Sequence, residues 1–172
     1  MDRIELAERI SAVAQLSGSF TLRSGTVADT YFDKYLFESD PELLQAIAQL
    51  MVPLIPADTE ILAGLELGGI PVVTALSIAS GLPSVFVRKE AKAYGTAKLA
   101  EGPAIDGRRL LIVEDVVTTG GQIVLSSNDL RAEGALVSQA VCVIDREAGG
   151  AANLAEADVE LRSVFTRSYI ER

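Results

Sequence analysis

The chain has 172 residues, 49% apolar and 23% charged, enough for a single domain of roughly 100–200 residues that buries a real core. Histidine is absent and cysteine occurs once, at Cys142, which excludes Ser-His-Asp and Cys-His catalysis, His-ligated zinc and an intrachain disulfide. Fifteen basic against 24 acidic residues give a net charge of −9, which argues against nucleic-acid or membrane-surface binding and leaves any anionic ligand to a local set of Arg, Lys and backbone amides.

Ile4, Ala7, Ile10 and Ala14 recur at helical spacing, in a segment that stops before Gly18. FTLRSG (20–25) and TYFDKYLF (30–37) alternate as two short strands with Gly25 between them. Asp40-Pro41-Glu42 starts a helix, with an acceptor at the N-cap, proline at the first position and an acid in the first turn. Leu43, Leu44, Ile47, Leu50, Met51 and Leu54 carry its apolar face. After Pro56 come a strand at 60–64, a helix at 70–80 and a strand at 83–88.

Residues 67–87 pass without a formal charge, nominally long enough to cross a bilayer. Gly68-Gly69-Ile70-Pro71, Gly81-Leu82-Pro83 and several Ser and Thr break that run, so it reads as a buried helix followed by a strand, not a membrane span. MDRIELAERI lacks the basic and apolar regions of a signal peptide, and a cytoplasmic protein is expected. Residues 89–102 are polar and glycine-punctuated, which predicts an exposed functional loop. A strand at 109–113, a helix at 122–133 closed by Gly134, a strand at 137–144 and an edge strand at 159–166 complete the chain. This alternation predicts an α/β fold over residues 1–172, a mostly parallel sheet with helices on both faces and ligands beyond the carboxyl ends of its strands.

The most informative run is LLIVEDVVTTGGQ (110–122). A buried strand ends in Glu114 and Asp115, Val116 and Val117 follow, and Thr118, Thr119, Gly120, Gly121 and Gln122 turn into a helix. Glycines let backbone approach an anion, and the amides and dipole of a helix N-terminus favour it there. The paired acids suit the vicinal hydroxyls of a sugar, so the run describes a ribose 5-phosphate site. No G-x-x-x-x-G-K-[ST] or G-x-G-x-x-G occurs, which removes P-loop and dinucleotide alternatives.

This run resembles the phosphoribosyl-pyrophosphate (PRPP) signature of type I phosphoribosyltransferases. FTLRSG with TYFDKYLF, GLELGGIP (64–71), VRKEAKAYGTAKLAEG (87–102) and IDRE (144–147) are similar, in order, to the hood, pyrophosphate loop, mobile catalytic loop and strand-end arginine of the orotate branch. The resemblance implies the type I fold, with a hood at about 1–40 and a flexible catalytic loop at about 89–102. It also implies transfer of a phosphoribosyl group from PRPP to orotate in pyrimidine biosynthesis, with release of pyrophosphate.

In that reading Glu114, Asp115 and Lys92 are catalytic, the two acids holding the ribose hydroxyls directly or through Mg²⁺ and water. Val116 to Gln122 cradle the 5-phosphate, and Arg88, Lys89 and Lys92 attend the pyrophosphate. Arg146 would bind the orotate carboxylate in a fork, with Thr118, Arg23, Lys34 and Phe20 as further base contacts. Mg²⁺ would be held mainly by PRPP and water, near Glu114 and Asp115. A homodimer is implied, the loop carrying Lys89 and Lys92 acting on the neighbouring subunit. Tyr94 stands where many members place a loop histidine, and Gly68 where some carry lysine. Two other readings stay open: transfer to a purine or other base, and a non-catalytic PRPP-sensing regulator.

Overall fold

A computed structural model of the chain describes residues 1–21, 25–90 and 98–171. The expected site residues Arg23 and Lys92, with Tyr94, lie outside the described residues.

Helix α1 (Arg3–Ala14) is capped by Asp2, whose carboxylate accepts the Ile4 and Glu5 amides, and it buries Leu6, Ala7, Ile10 and Ala14. Strands β1 (Gln15–Thr21) and β2 (Val27–Phe32) then form a separate antiparallel pair. The second expected strand is cut short: Tyr35–Glu38 is a helical turn, α2. Asp33 causes the change of direction, because its carboxylate accepts the Tyr35 amide at 3.1 Å and the chain winds Phe37 into the core. Helix α3 (Pro41–Met51) starts at Asp40 as its residues predict, and residues 52–54 tighten into a 3₁₀ turn.

The main sheet has the order β5-β4-β3-β6-β7-β8, built from β3 (Ile61–Leu65), β4 (Ser84–Val87), β5 (Ala100–Glu101), β6 (Arg109–Val117), β7 (Leu136–Asp145) and β8 (Glu160–Thr166). All neighbours run parallel except β5 on β4. Helices α4 (Gly69–Ser80), α5 (Gly121–Ala132), α6 (Gly150–Glu156) and α7 (Arg167–Ile170) complete the chain. Side chains alternate along each strand and separate two cores. Leu62, Leu111, Val113, Val141 and Val143 meet α1, α3 and α4, while Ala63, Ile112, Ala140 and Cys142 meet α5 and α6. The helices therefore cover both faces, and Cys142 is a buried residue of the second core.

Beyond α2, further elements differ from expectation. Residues 100–101, expected within a loop, pair antiparallel with β4. Strand β6 does not stop at Val113 but continues through the acid pair to Val117, because β7 offers partners as far as Asp145. Helices α6 and α7 were not anticipated; Leu154 and Ile170 are the buried apolar anchors of these short segments. No helix of the described residues is long and apolar enough to cross a membrane, in keeping with the reading of 67–87 as α4 and β4.

Candidate active site

The chain passes from β3 outward to β4 and then returns to place β6 on the other side of β3. Such a reversal opens a crevice beyond the carboxyl ends of the two strands. Pairing between β3 and β6 ends at Gly64 with Val113, so Glu114 to Val117 are bonded on the β7 side only. The acid pair lies on this half-open stretch.

Its two members have different surroundings. Glu114 is partly open and borders a small cleft of about 100 Å³ formed by the turn from β6 into α5. Asp115 is 0% exposed, and Lys34 Nζ stands 2.5 Å from its Oδ2. Its Oδ1 accepts the Val116 amide, and its own amide donates to Glu114 Oε1 at 3.1 Å. Glu38 on α2 is 4% exposed, neither of its carboxyl oxygens has a donor, and it faces the charges of Asp115, Lys34 and Glu114. Asp115 has Lys34 and the Val116 amide as donors, whereas a Glu38 carboxyl that keeps its proton can itself donate toward Asp115. Burial first, then the hydrogen bond and charge of Asp115, push Glu38 up to about 9. Burial followed by the Asp115 charge pushes Glu114 up to about 8. Burial works against the charge on Lys34, yet the hydrogen bond and charge of Asp115 carry it above its ordinary value.

The turn after β3 closes on the same acids. A Cβ on Gly68 would fall on the Asp115 carboxylate, and one on Gly69 would lie 2.6 Å from the Val113 carbonyl oxygen. Glycine is required here for close approach, since Gly68 has an ordinary φ of −65°. Glu66 joins this turn to the end of β4: its amide donates to the Val87 carbonyl at 2.9 Å, and its carboxylate accepts the Lys89 amide at 2.6 Å. Arg88 Nε lies 3.3 Å from Glu101 Oε1, so its guanidinium is engaged on β5.

The small cleft is lined by Glu114, Val116 to Gln122 and Ile123. Gly120, with φ +75°, reverses the chain so that the amides opening α5 face it. Val117 is buried in the second core and can offer only its backbone. Gln122 Nε2 lies 3.2 Å from Ser126 Oγ, directing that side chain along α5. Asn153 on α6 supports the turn from behind, its Nδ2 donating to the Thr119 carbonyl at 3.0 Å. Its sequence context offers no signal for that role.

Beside it lies a larger cleft of about 360 Å³, walled by Tyr31, Phe32, Lys34, Thr118, Arg146 and Arg167 among others. Arg146 follows β7, its amide donating to the Val117 carbonyl at 2.8 Å, and its guanidinium lies 5.3 Å from the Phe32 ring centroid. Phe20 does not line this cleft; its ring packs 5.6 Å from that of Tyr31, and Phe32 is the aromatic that faces Arg146. The structure thus gathers Lys34, Glu114, Thr118 to Gln122 and Arg146 around two adjoining clefts, with Asp115 buried behind them. Arg88 and Lys89 stand at the end of β4.

Residues 37–163 match the phosphoribosyl transferase domain family. An orotate phosphoribosyltransferase of Nocardioides sp. is 52% identical over 166 residues, covering 96% of this chain and 93% of that protein. The crystal structure of Mycobacterium tuberculosis orotate phosphoribosyltransferase in complex with Fe(III) dicitrate superposes with a TM-score of 0.90 at 34% identity, covering 100% of both chains. The structure of the same enzyme in complex with PRPP gives 0.85 at 30% identity, again over 100% of both.

Proposed function

The chain belongs to the phosphoribosyl transferase domain family, among the orotate phosphoribosyltransferases, and from that premise we infer how its two clefts divide the work. The reaction is transfer of the 5-phosphoribosyl group of PRPP to orotate, giving orotidine 5′-monophosphate and pyrophosphate, a step of pyrimidine biosynthesis. The observation that carries the assignment of sites is the adjacency of the small amide-lined cleft to the cationic, aromatic-walled one, with Val116 and Thr118 common to both and Glu114 on the wall of the small one.

The amides and hydroxyls of Thr118 to Gln122 take the 5-phosphate. Glu114 and Asp115 serve the ribose hydroxyls, Glu114 from the open side and Asp115 braced by Lys34 and the Glu38 carboxyl. Orotate lies in the larger cleft with its carboxylate toward Arg146, with Phe32 beneath that guanidinium and Lys34 and Thr118 alongside; Arg23 and Phe20 belong to the same segment of chain. Cleavage of the C1–O bond builds positive charge on the ribose and negative charge on pyrophosphate. The Asp115 carboxylate on the ring side, and Arg88, Lys89 and Lys92 toward the leaving group, stabilise that separation in the transition state, with Glu114 holding a ribose hydroxyl by hydrogen bonding. The backbone turn at Gly68-Gly69 offers amides rather than a side chain to pyrophosphate.

The family uses Mg²⁺ with PRPP. Among the described residues no group of three acidic side chains converges on a metal position, so the donor set fits an ion carried by PRPP oxygens and water near Glu114 better than a protein-held cage. When bound, Mg²⁺ neutralises pyrophosphate charge. The proposal includes a cytoplasmic homodimer in which Lys89 and Lys92 of one subunit serve the neighbour's site.

Orotate absorbance followed in the presence of PRPP and Mg²⁺ tests the reading. Loss of absorbance with release of pyrophosphate is expected. No loss of orotate, or turnover of adenine or hypoxanthine in its place, would overturn it.

A further inference from the structure

In the larger cleft the guanidinium of Arg146 already has a carboxylate. Glu171 Oε1 lies 3.7 Å from Arg146 Nη1, while Glu171 Oε2 lies 2.7 Å from Arg167 Nε. One carboxylate therefore spans two arginines, and all three side chains line the cavity. Among the described residues that line it, Glu171 is the sole acid, beside Lys34, Arg146 and Arg167. In a chain of net charge −9, such a local excess of cations marks a seat for an anion.

The segment that brings Arg167 and Glu171 here is fixed at several points. Ser168 donates its amide to Glu147 Oε2 at 2.8 Å and its hydroxyl to Oε1 at 3.0 Å, tying α7 to the residue next to Arg146. Tyr169 stacks on Phe165 with ring centroids 5.6 Å apart, and the Arg3 guanidinium lies 4.9 Å from the Tyr169 centroid. Ile170 is buried in the first core. Helix α7 is thus a docked wall of the cleft.

We propose that Arg167 and Arg146 together form a two-guanidinium seat for the orotate carboxylate, and that Glu171 occupies this seat until the substrate displaces it. The inference rests on the orotate reading above and adds to it a second binding arginine and a tethered competitor. Two forks directed at one carboxylate satisfy more of its acceptor positions than one. A protein whose seat is filled by its own side chain binds the ligand with an apparent affinity reduced by the unoccupied fraction. Glu171 therefore raises the orotate requirement. It also selects for a ligand that carries a carboxylate able to replace it, since an uncharged pyrimidine leaves Arg146 and Arg167 with Glu171.

Steady-state kinetics of the full-length protein with Glu171→Gln and Arg167→Gln test this, with KM for orotate, KM for PRPP and inhibition by uracil as readouts. Glu171→Gln should lower the orotate KM by roughly threefold or more, as removal of a competing conformer does. Arg167→Gln should raise it by roughly tenfold, as loss of a charge-assisted hydrogen bond does. The PRPP KM and the uracil inhibition constant should stay within twofold in both, because neither ligand presents a carboxylate to this seat. An unchanged orotate KM in Glu171→Gln would overturn the inference and leave an ordinary helical ion pair. Parallel changes for orotate, PRPP and uracil would overturn it too, since they would report a general disturbance of the cleft. Wild-type protein that fails to consume orotate would instead overturn the functional reading, and this inference with it.

Discussion

The Lys34 ammonium stands 3.0 Å from the point where a Cβ on Gly68 would be built, so the side chain of one residue and the backbone of the other share a single space against Asp115. Lys34, the residue that opens α2, brings its ammonium into the space that a side chain at position 68 would need. Gly68→Ala should displace both Asp115 and Lys34. A roughly hundredfold fall in kcat/KM, about 2.7 kcal/mol of transition-state stabilisation, is expected. Initial rates at varied PRPP, with circular dichroism to verify folding, check it.

Lys34 is the cation in contact with a fully buried carboxylate. Removing one member of a buried pair costs about 3–5 kcal/mol, and Lys34, one-third exposed, should give less, roughly 2 kcal/mol, in Lys34→Met. Adding Asp115→Asn to that variant removes the stranded charge. The double variant should recover stability in urea titrations while remaining inactive, which separates bracing from chemistry.

Glu38 and Glu114 set a pH dependence whose sign follows from their raised values of about 9 and about 8. Unfolded, both lose their protons near the ordinary carboxyl value of about 4.5. Folded, they keep them until pH 8–9, so over that interval the folded state binds more protons and stability falls as pH rises. The Tm of the ligand-free protein should decline from pH 5 to pH 9. Glu38→Gln, which supplies a permanent donor to Asp115, should flatten the decline; a Tm profile parallel to that of the wild type would count against a proton retained on Glu38.

Gly120 has φ +75°, and a side chain there would come within 3.0 Å of Leu154 Cγ and 3.3 Å of the Gly150 carbonyl oxygen. Gly120→Ala should cost about 1–2 kcal/mol of stability from the left-handed conformation alone. The turn would shift off α6, so the KM for PRPP should rise about tenfold with that for orotate little changed. Asn153→Ala, which removes the support behind Thr119, should move the PRPP KM in the same direction by a smaller factor.

The sheet and its ligand-bearing edge were legible because each carried a local signal. Asp40-Pro41 announced α3, the β-branched run announced β7, and Thr-Thr-Gly-Gly announced the reversal before α5. What escaped depends on contacts distant in sequence. That β6 runs on through Glu114 and Asp115 is decided by β7, and that Asp115 is buried while Glu114 is open is decided by α2 and the turn at Gly68. Glu38 showed no sign in the sequence, since an acid one turn before Asp40 reads as a solvated residue. Arg167 and Glu171 sit at the start and just past the end of a four-residue helix too short for periodicity to reveal.

The one-sided pairing of β6 beyond Val113 has a thermodynamic consequence. The stretch meant to grip the donor is stitched to a single neighbour, so its amides should open at lower free energy than those of residues 110–113, which are clasped from both flanks. If the donor binds at the start of α5 as proposed above, a hundredfold excess over Kd would add about 2.7 kcal/mol to the whole molecule. Donor binding there should show as slowed exchange of the amides of residues 114–117, while those of 110–113 change little.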